Sequence, residues 1–259
     1  MTSNRGLVLL DKLAYEGRTG FTTAEVRADL QLSPQATSNL LSRLAAAGLV
    51  DRVAGGRYAL RPIGSLGTSA VWDDLGSVVG AVFAGRPHRI GFLTALEQHG
   101  LLVRPVRRIQ VASPYRPRLK ALSGRPLQIV REGADKVLLG TEPLGPSRIA
   151  TIERALLDTG SRPLLVGGAS RLAEALAAVQ SSSGLSDLAT AVEEIPAYRR
   201  IGSISMTLSL PLAETLEPPP WRTLIELEPA AQRYGGWIDN AWGVAWPYPA
   251  SELEAVTHQ

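Results

Sequence analysis

The stretch from Ser33 to Ala47, SPQATSNLLSRLAAA, carries side chains of the kind that read DNA bases. Gln35, Ser38, Asn39 and Ser42 share one helical face, with Thr37 and Arg43 at its edges. Gln and Asn amides can bond adenine through two atoms at once, and Ser or Thr hydroxyls can bond any base edge. The predicted base-facing set is therefore Gln35, Thr37, Ser38, Asn39 and Ser42. A helix in the major groove lies between phosphates, which repel acidic side chains. No acid occurs between Asp29 and Asp51, whereas an ordinary solvated helix more often mixes Glu with Lys. Arg43, Arg52, Arg57 and Arg61 are the predicted phosphate contacts.

Catalytic chemistry finds less support. The histidines are His88, His99 and His258, and none sits in an HExxH pattern or beside a Cys ligand. The chain has no cysteine, which excludes disulfides, thiolate metal sites and a cysteine nucleophile. No phosphate-binding GxxxxGK[ST] and no GxSxG motif occurs. Asp73-Asp74 and Glu193-Glu194 are chain neighbours, so on a helix they point apart. Gly167-Gly168-Ala169-Ser170 precedes a helix and reads as a tight turn ahead of an anion site. The sequence thus predicts no catalytic residue, no metal and no cofactor.

The elements that must position the reading face follow from periodicity. Arg5–Glu16 reads as a first helix with Leu7, Val8, Leu10 and Ala14 on its apolar face, ended by the GRTG turn. Thr22 or Thr23 caps a second helix that has Glu25 and Asp29 behind the cap. Ser33 caps the third, with Pro34 at its first position and a stripe of Ala36, Leu40, Leu44 and Ala47. Gly48 ends it. Strands near Val50–Val53 and Arg57–Leu60 then flank an Ala54-Gly55-Gly56 turn, a hairpin signal. Three helices and a basic hairpin predict a winged helix-turn-helix domain over residues 1–63. Such domains also serve protein contacts, so the fold alone leaves both uses open.

Residues 64–259 predict a second, mixed domain, with GSLGTS (64–69) as the linker and an overall α+β class. Helices are expected over VWDDLGSVVGAVFAG, Gly91–His99, SRLAEALAAVQ and SGLSDLATAVEEI, and SRIATIERALLDTG (Ser147 to Gly160) reads as a strand end or loop entering a further helix. Strands are expected at RRIQVAS, at PLQIVREGADKVLLG as a pair, and at ISMTLSLPL, TLIELEP and WGVAWPYP. Arg104, Arg107, Arg108, Arg116, Arg118, Lys120 and Arg125 follow one another without an acid. This run is either a solvated edge or a second phosphate-contacting surface, and Tyr115 within it could lie on a sugar or base.

Charge divides the chain in the same sense. Residues 1–173 hold 23 Lys+Arg against 13 Asp+Glu, and residues 174–259 hold 4 against 11. A basic front half suits a polyanionic partner. No apolar run reaches the roughly 18 residues of a membrane span. The opening MTSNRGLVLLDKLAYEG does not read as a signal peptide, because Asp11 and Lys12 interrupt its apolar run. A cytoplasmic protein without membrane contact is expected.

The order of motifs resembles the AbiEi family, antitoxins of type IV toxin–antitoxin systems. The N-terminal unit is similar to that family's winged helix. Ala95-Leu96-Glu97-Gln98-His99-Gly100-Leu101 resembles its ALExHGL-like helix, and RRIQVAS the strand that follows. Glu153-Arg154-Ala155-Leu156-Leu157-Asp158 resembles its ER-x-[LI]-[LI]-D motif. RPLLVGGASRLAEAL and Tyr198–Gly202 resemble later segments. The resemblance spans about residues 5–205. It implies a repressor of its own operon, bound to inverted repeats in double-stranded DNA, with a nucleotidyltransferase-type toxin as functional partner. Neutralisation in type IV systems does not require a stable complex with that toxin. Glu153, Arg154 and Asp158 read as a buried ion pair that steadies a helix, with Glu153 expected to meet Arg154. Two alternatives stand beside this reading: a winged-helix transcription factor with a ligand-sensing second domain, and a nucleic-acid-processing enzyme.

Overall fold

The computed structural model describes residues 4–18, 20–61, 75–83, 85–117, 119, 121–122, 125–229 and 231–257. The 64–69 linker, the domain boundary after residue 63, Asp73, Asp74, Arg118, Lys120 and His258 lie outside these residues. The fold is mixed α+β.

The N-terminal unit runs α1 (Asn4–Tyr15), β1 (Gly20–Thr22), α2 (Thr23–Asp29), α3 (Pro34–Ala46), β2 (Val50–Ala54) and β3 (Arg57–Leu60). Its strands form an antiparallel sheet in the order β1-β3-β2. Thr22 and Glu25 make a reciprocal cap at the start of α2, which satisfies two backbone N–H groups. The Ser33 side chain accepts from Ala36 N at 3.3 Å and Pro34 follows it, as the sequence predicts. Gly56 takes φ +67° in the hairpin turn, a value that favours glycine. The third strand, β1, was not expected, since GRTG reads as a turn.

Two helix faces are rotated from their predicted positions. In α1 the buried leucines are Leu9 and Leu13, one turn apart, while Leu7 and Val8 stay 55 % and 53 % exposed. In α3 the buried set is Thr37, Leu40, Leu41 and Leu44. That set keeps the i, i+3, i+4, i+7 spacing of a core stripe, which the Ala36-Leu40-Leu44-Ala47 pattern misses by one residue.

The remainder begins with α4 (Leu75–Phe83), β4 (Arg89–Ile90), α5 (Phe92–Gln98), β5 (Ile109–Ser113), β6 (Ala121–Leu122) and β7 (Arg125–Arg131). It continues with β8 (Thr141–Leu144), β9 (Ser147–Ala150), α6 (Ile152–Ser161), α7 (Pro163–Val166), α8 (Ser170–Ala177), α9 (Leu185–Ala191) and α10 (Ile195–Thr207). A 3-10 turn (Pro211–Thr215), β10 (Ile225–Glu226), β11 (Trp237–Asp239), β12 (Val244–Trp246) and α11 (Ser251–Thr257) complete it. One mixed sheet has the order β6-β7-β5-β4-β9-β8, and a small one has the order β10-β12-β11. Helix α6 packs on α5, α8, α9 and α10.

Two expected strands are absent among the described residues. ISMTLSLPL belongs to α10 and the turn after it. Helix α10 buries Ile201 and Ile204 three residues apart, beside Ala197 and Tyr198, so a helical period carries into the segment despite its β-branched residues. The second half of PLQIVREGADKVLLG turns rather than extends, and only Val137 enters the core.

Helix α4 joins the two units. Val53 and Ala59 of the hairpin lie in one continuous core with Val78, Val79, Ala81 and Val82. Val50 and Tyr58, on the same two strands, belong instead to the core of α1–α3. The first sheet thus lies between two cores. Small residues permit the approach: a Cβ on Gly20 would meet Ala81 at 2.8 Å, and one on Gly76 would meet the Leu144 carbonyl oxygen at 2.2 Å. No described helix is long and apolar enough to cross a membrane.

Gly76→Val should lower unfolding stability by about 1–3 kcal/mol, the usual cost of overpacking. Gly55→Ala, at a position with open space around it, should stay within about 0.5 kcal/mol of the parent. Denaturant melts of both variants check the pair.

Candidate nucleic-acid interface

Helix α3 presents Gln35, Ser38, Asn39 and Ser42 to solvent. Gln35 Nε2 donates to Asn39 Oδ1 at 3.1 Å, linking two amides one turn apart. Arg43 is exposed at the end of this face, and its Nε donates to Asn39 O at 3.3 Å. Thr37 departs from the prediction. It is fully buried, and its hydroxyl donates to Ser33 O at 3.0 Å. It steadies the first turn of α3 and does not face outward.

The hairpin arginines divide likewise. Arg52 is exposed on β2. Arg57 is half-buried and donates to Val82 O of α4, so it acts as a strut between hairpin and helix. Arg61 holds Asp51 with two bonds, Nε to Oδ2 at 2.9 Å and Nη2 to Oδ1 at 2.7 Å. That hydrogen bond raises the Arg61 pKa above its ordinary value. The pair is close to neutral as a unit, and Arg61 clamps the two strands of the hairpin. The described outward set is Gln35, Ser38, Asn39, Ser42, Arg43 and Arg52.

The described members of the basic run after Arg104 do not form one surface. Arg104, Arg107 and Arg108 precede β5, and Arg116 follows it. Five extended residues at roughly 3.3 Å each hold these groups about 16 Å apart. At the first end, Arg171 donates to Arg104 O at 2.8 Å and pairs with Glu174 at 2.7 Å, tying this loop to α8. Arg125 pairs with Glu97 at 2.9 Å. At the other end, Arg116 lies near the hairpin tip, with Gly55, Arg57, Arg86 and Tyr115 around the same cleft. Arg86 carried no signal in the sequence, because only the folding of α4 against the hairpin brings it there.

The motifs of the second unit are spent on structure. Arg89, Glu132, Arg154 and Asp158 form one buried network. Arg89 reaches Glu132 at 2.7 Å and Asp158 at 2.8 Å, Arg154 reaches Asp158 at 3.0 Å, and Arg154 also holds Glu132. Burial pushes the Arg89 guanidinium down, but Asp158 and Glu132 more than offset it and the net shift is upward. A Cβ on Gly91 would meet Asp158 Oδ2 at 2.7 Å, so glycine there lets the network close. The buried pair expected within α6 is thus Arg154 with Asp158, whereas Glu153 accepts from Ser182 at 3.0 Å.

Other candidate groups are similarly engaged. Arg199 donates to Trp242 O at 2.7 Å, and Arg200 donates to Glu226 O at 2.8 Å. His88 sits between Arg86 O at 2.8 Å and Ser147 Oγ at 2.9 Å, and His99 contacts Ala150 O at 2.8 Å. Burial lowers the His88 pKa. The Gly167-Gly168 turn, with φ +86° and +103°, meets a carboxylate of the chain itself. Glu228 accepts from Ala169 N at 3.1 Å and from Tyr248 Oη at 2.8 Å. Glu193 pairs with Lys136 at 2.5 Å, and burial pushes the Glu194 carboxyl up. No group of three or more His, Asp or Glu placed for a metal ion occurs among the described residues.

Breaking the network should be costly. Asp158→Ala leaves two guanidiniums buried with one carboxylate, and removing one member of such a set typically costs about 3–5 kcal/mol. Thr37→Val should cost only about 0.5–1.5 kcal/mol, for one hydrogen bond. Chemical denaturation measures both.

The fold as a whole is similar to that in the crystal structure of the RV2827C protein from Mycobacterium tuberculosis. The TM-score is 0.64 at 16% identity, over 100% of this chain and 96% of that one. No family model and no curated protein matches the chain. At this identity the likeness shows the fold alone.

Proposed function

We propose that this protein is a sequence-specific DNA-binding regulator whose N-terminal unit is a winged helix-turn-helix. In this reading α3 enters the major groove and the β2–β3 hairpin is the wing. One observation carries it: the acid-free outward face of α3 holds Gln35 and Asn39 already bonded to each other. Their bond leaves Gln35 Oε1 to accept and Asn39 Nδ2 to donate, the complement of adenine N6 and N7. Arg43 and Arg52 then supply phosphate contacts at either side. The motif resemblance extends the proposal to a cytoplasmic autorepressor and antitoxin of the AbiEi kind. The toxin partner is a nucleotidyltransferase encoded beside it, and the operator is an inverted repeat. The chain binds and does not catalyse in this reading.

The test is fluorescence anisotropy on the gene's own upstream duplex and a scrambled duplex, across a salt series. Preference for the upstream duplex is expected, and equal affinity for both would sink the reading. Asn39→Ala should cost about 1–3 kcal/mol on the upstream duplex and relax its preference. Arg52→Ala should weaken both duplexes equally and flatten the salt slope by about 0.9.

A further inference from the structure

The hairpin tip borders the second unit. Gly55 and Arg57 form one side of a cleft of about 270 Å³, and Arg86, Tyr115 and Arg116 line it from the second unit. That volume is below the ~300–1,000 Å³ of a small-molecule pocket. Three of the lining side chains are arginines, and no acid is among the described residues that line it. The Arg86 guanidinium lies over the Tyr115 ring, 5.0 Å from its centroid.

The cleft is built by the fold. Ser113 Oγ donates to Pro87 O at 2.8 Å, and Tyr115 N donates to Ser113 Oγ at 3.1 Å. These bonds seat the turn after β5 against the turn after α4. On the hairpin side, Thr23 N and Oγ1 donate to Gly56 O at 2.8 and 3.1 Å, and Arg57 donates to Val82 O. The tip is therefore tied to the start of α2 and to the end of α4. The α3 face, the hairpin and the cleft keep a set spacing.

We propose that this cleft is a second DNA-backbone site, contributed by the second unit. Arg86 and Arg116 each hold a phosphate of the duplex beyond those reached by α3 and the hairpin. Tyr115 is a positioning residue that holds the Arg86 guanidinium flat. This inference rests on the DNA-reading proposal above. A guanidinium presents a planar fork that matches phosphate oxygens, and stacking on an aromatic ring reduces the freedom it loses on binding. The three basic residues before β5 lie at the other end of that strand and take no part.

The experiment compares the full chain with Arg86→Ala/Arg116→Ala and with Arg107→Ala/Arg108→Ala on the upstream and scrambled duplexes. Two lost phosphate contacts should flatten the slope of log K against log salt by about 1.8, at about 0.9 per phosphate. The ratio of affinities for the two duplexes should stay constant, because phosphates carry no sequence. Trimming the duplex on the hairpin side should make wild type and the Arg86/Arg116 variant equal. Tyr115→Phe should bind as wild type, and Tyr115→Ala should bind more weakly. Thermal melts verify that each variant is folded.

An unchanged slope in the Arg86/Arg116 variant overturns the proposal, as does a loss confined to the Arg107/Arg108 variant. If Asn39→Ala abolishes preference while the Arg86/Arg116 variant behaves as wild type, base reading survives and the second site falls. If wild type binds neither duplex, both fall. Equal weakening by Tyr115→Phe and Tyr115→Ala removes the role assigned to the ring.

Discussion

Close packing around α4 is the constraint on which the rest of the molecule depends. Glycine and alanine on this helix let the first sheet and the β8–β9 hairpin approach it from different sides. Larger side chains would hold these layers apart, since interiors are packed too densely to absorb a methyl group at 2.2 Å. The same approach brings Val82 O within reach of Arg57 and sets Arg86 beside the hairpin tip. The placing of these surface arginines is thus a product of the core packing beneath them.

Arginine serves two separate purposes here. Arg89, Arg154, Arg199 and Arg200 are buried and hold carboxylates or backbone carbonyls. A fork of five donors that stays charged suits such positions better than lysine. Arg43, Arg52, Arg86 and Arg116 stay at the surface. The number of basic residues in the chain therefore overstates the number free to face a polyanion. Arg57 and Arg61 illustrate the difference, since both lie on the hairpin and both are engaged with the protein itself.

Local signals were legible where a single residue type has one physical use. Ser33-Pro34, Thr22 with Glu25, and Gly55-Gly56 each mark an element end, and each behaves as its chemistry requires. The α+β class followed from the mixture of periods. Faces were less legible than elements. Threonine at position 37 is short enough to bury once its hydroxyl finds Ser33 O, so a polar residue entered the core stripe. The segment ISMTLSLPL has β-branched residues, but its first half continues the helical spacing of α10, and tertiary burial decided between them. The Arg86–Tyr115 cleft was illegible because its sides are far apart in sequence and meet only through α4.

The sheet wedged between two cores also bears on how the chain comes apart. Val53 and Ala59 face the second core while Val50 and Tyr58 face the first, on the same pair of strands. Losing either core strips one apolar side from this sheet, which couples the stability of the two halves. Excising the first sixty residues as an isolated module would leave an adhesive flank in water. Any fragmentation of this protein for solution work has to carry α4 along with the hairpin.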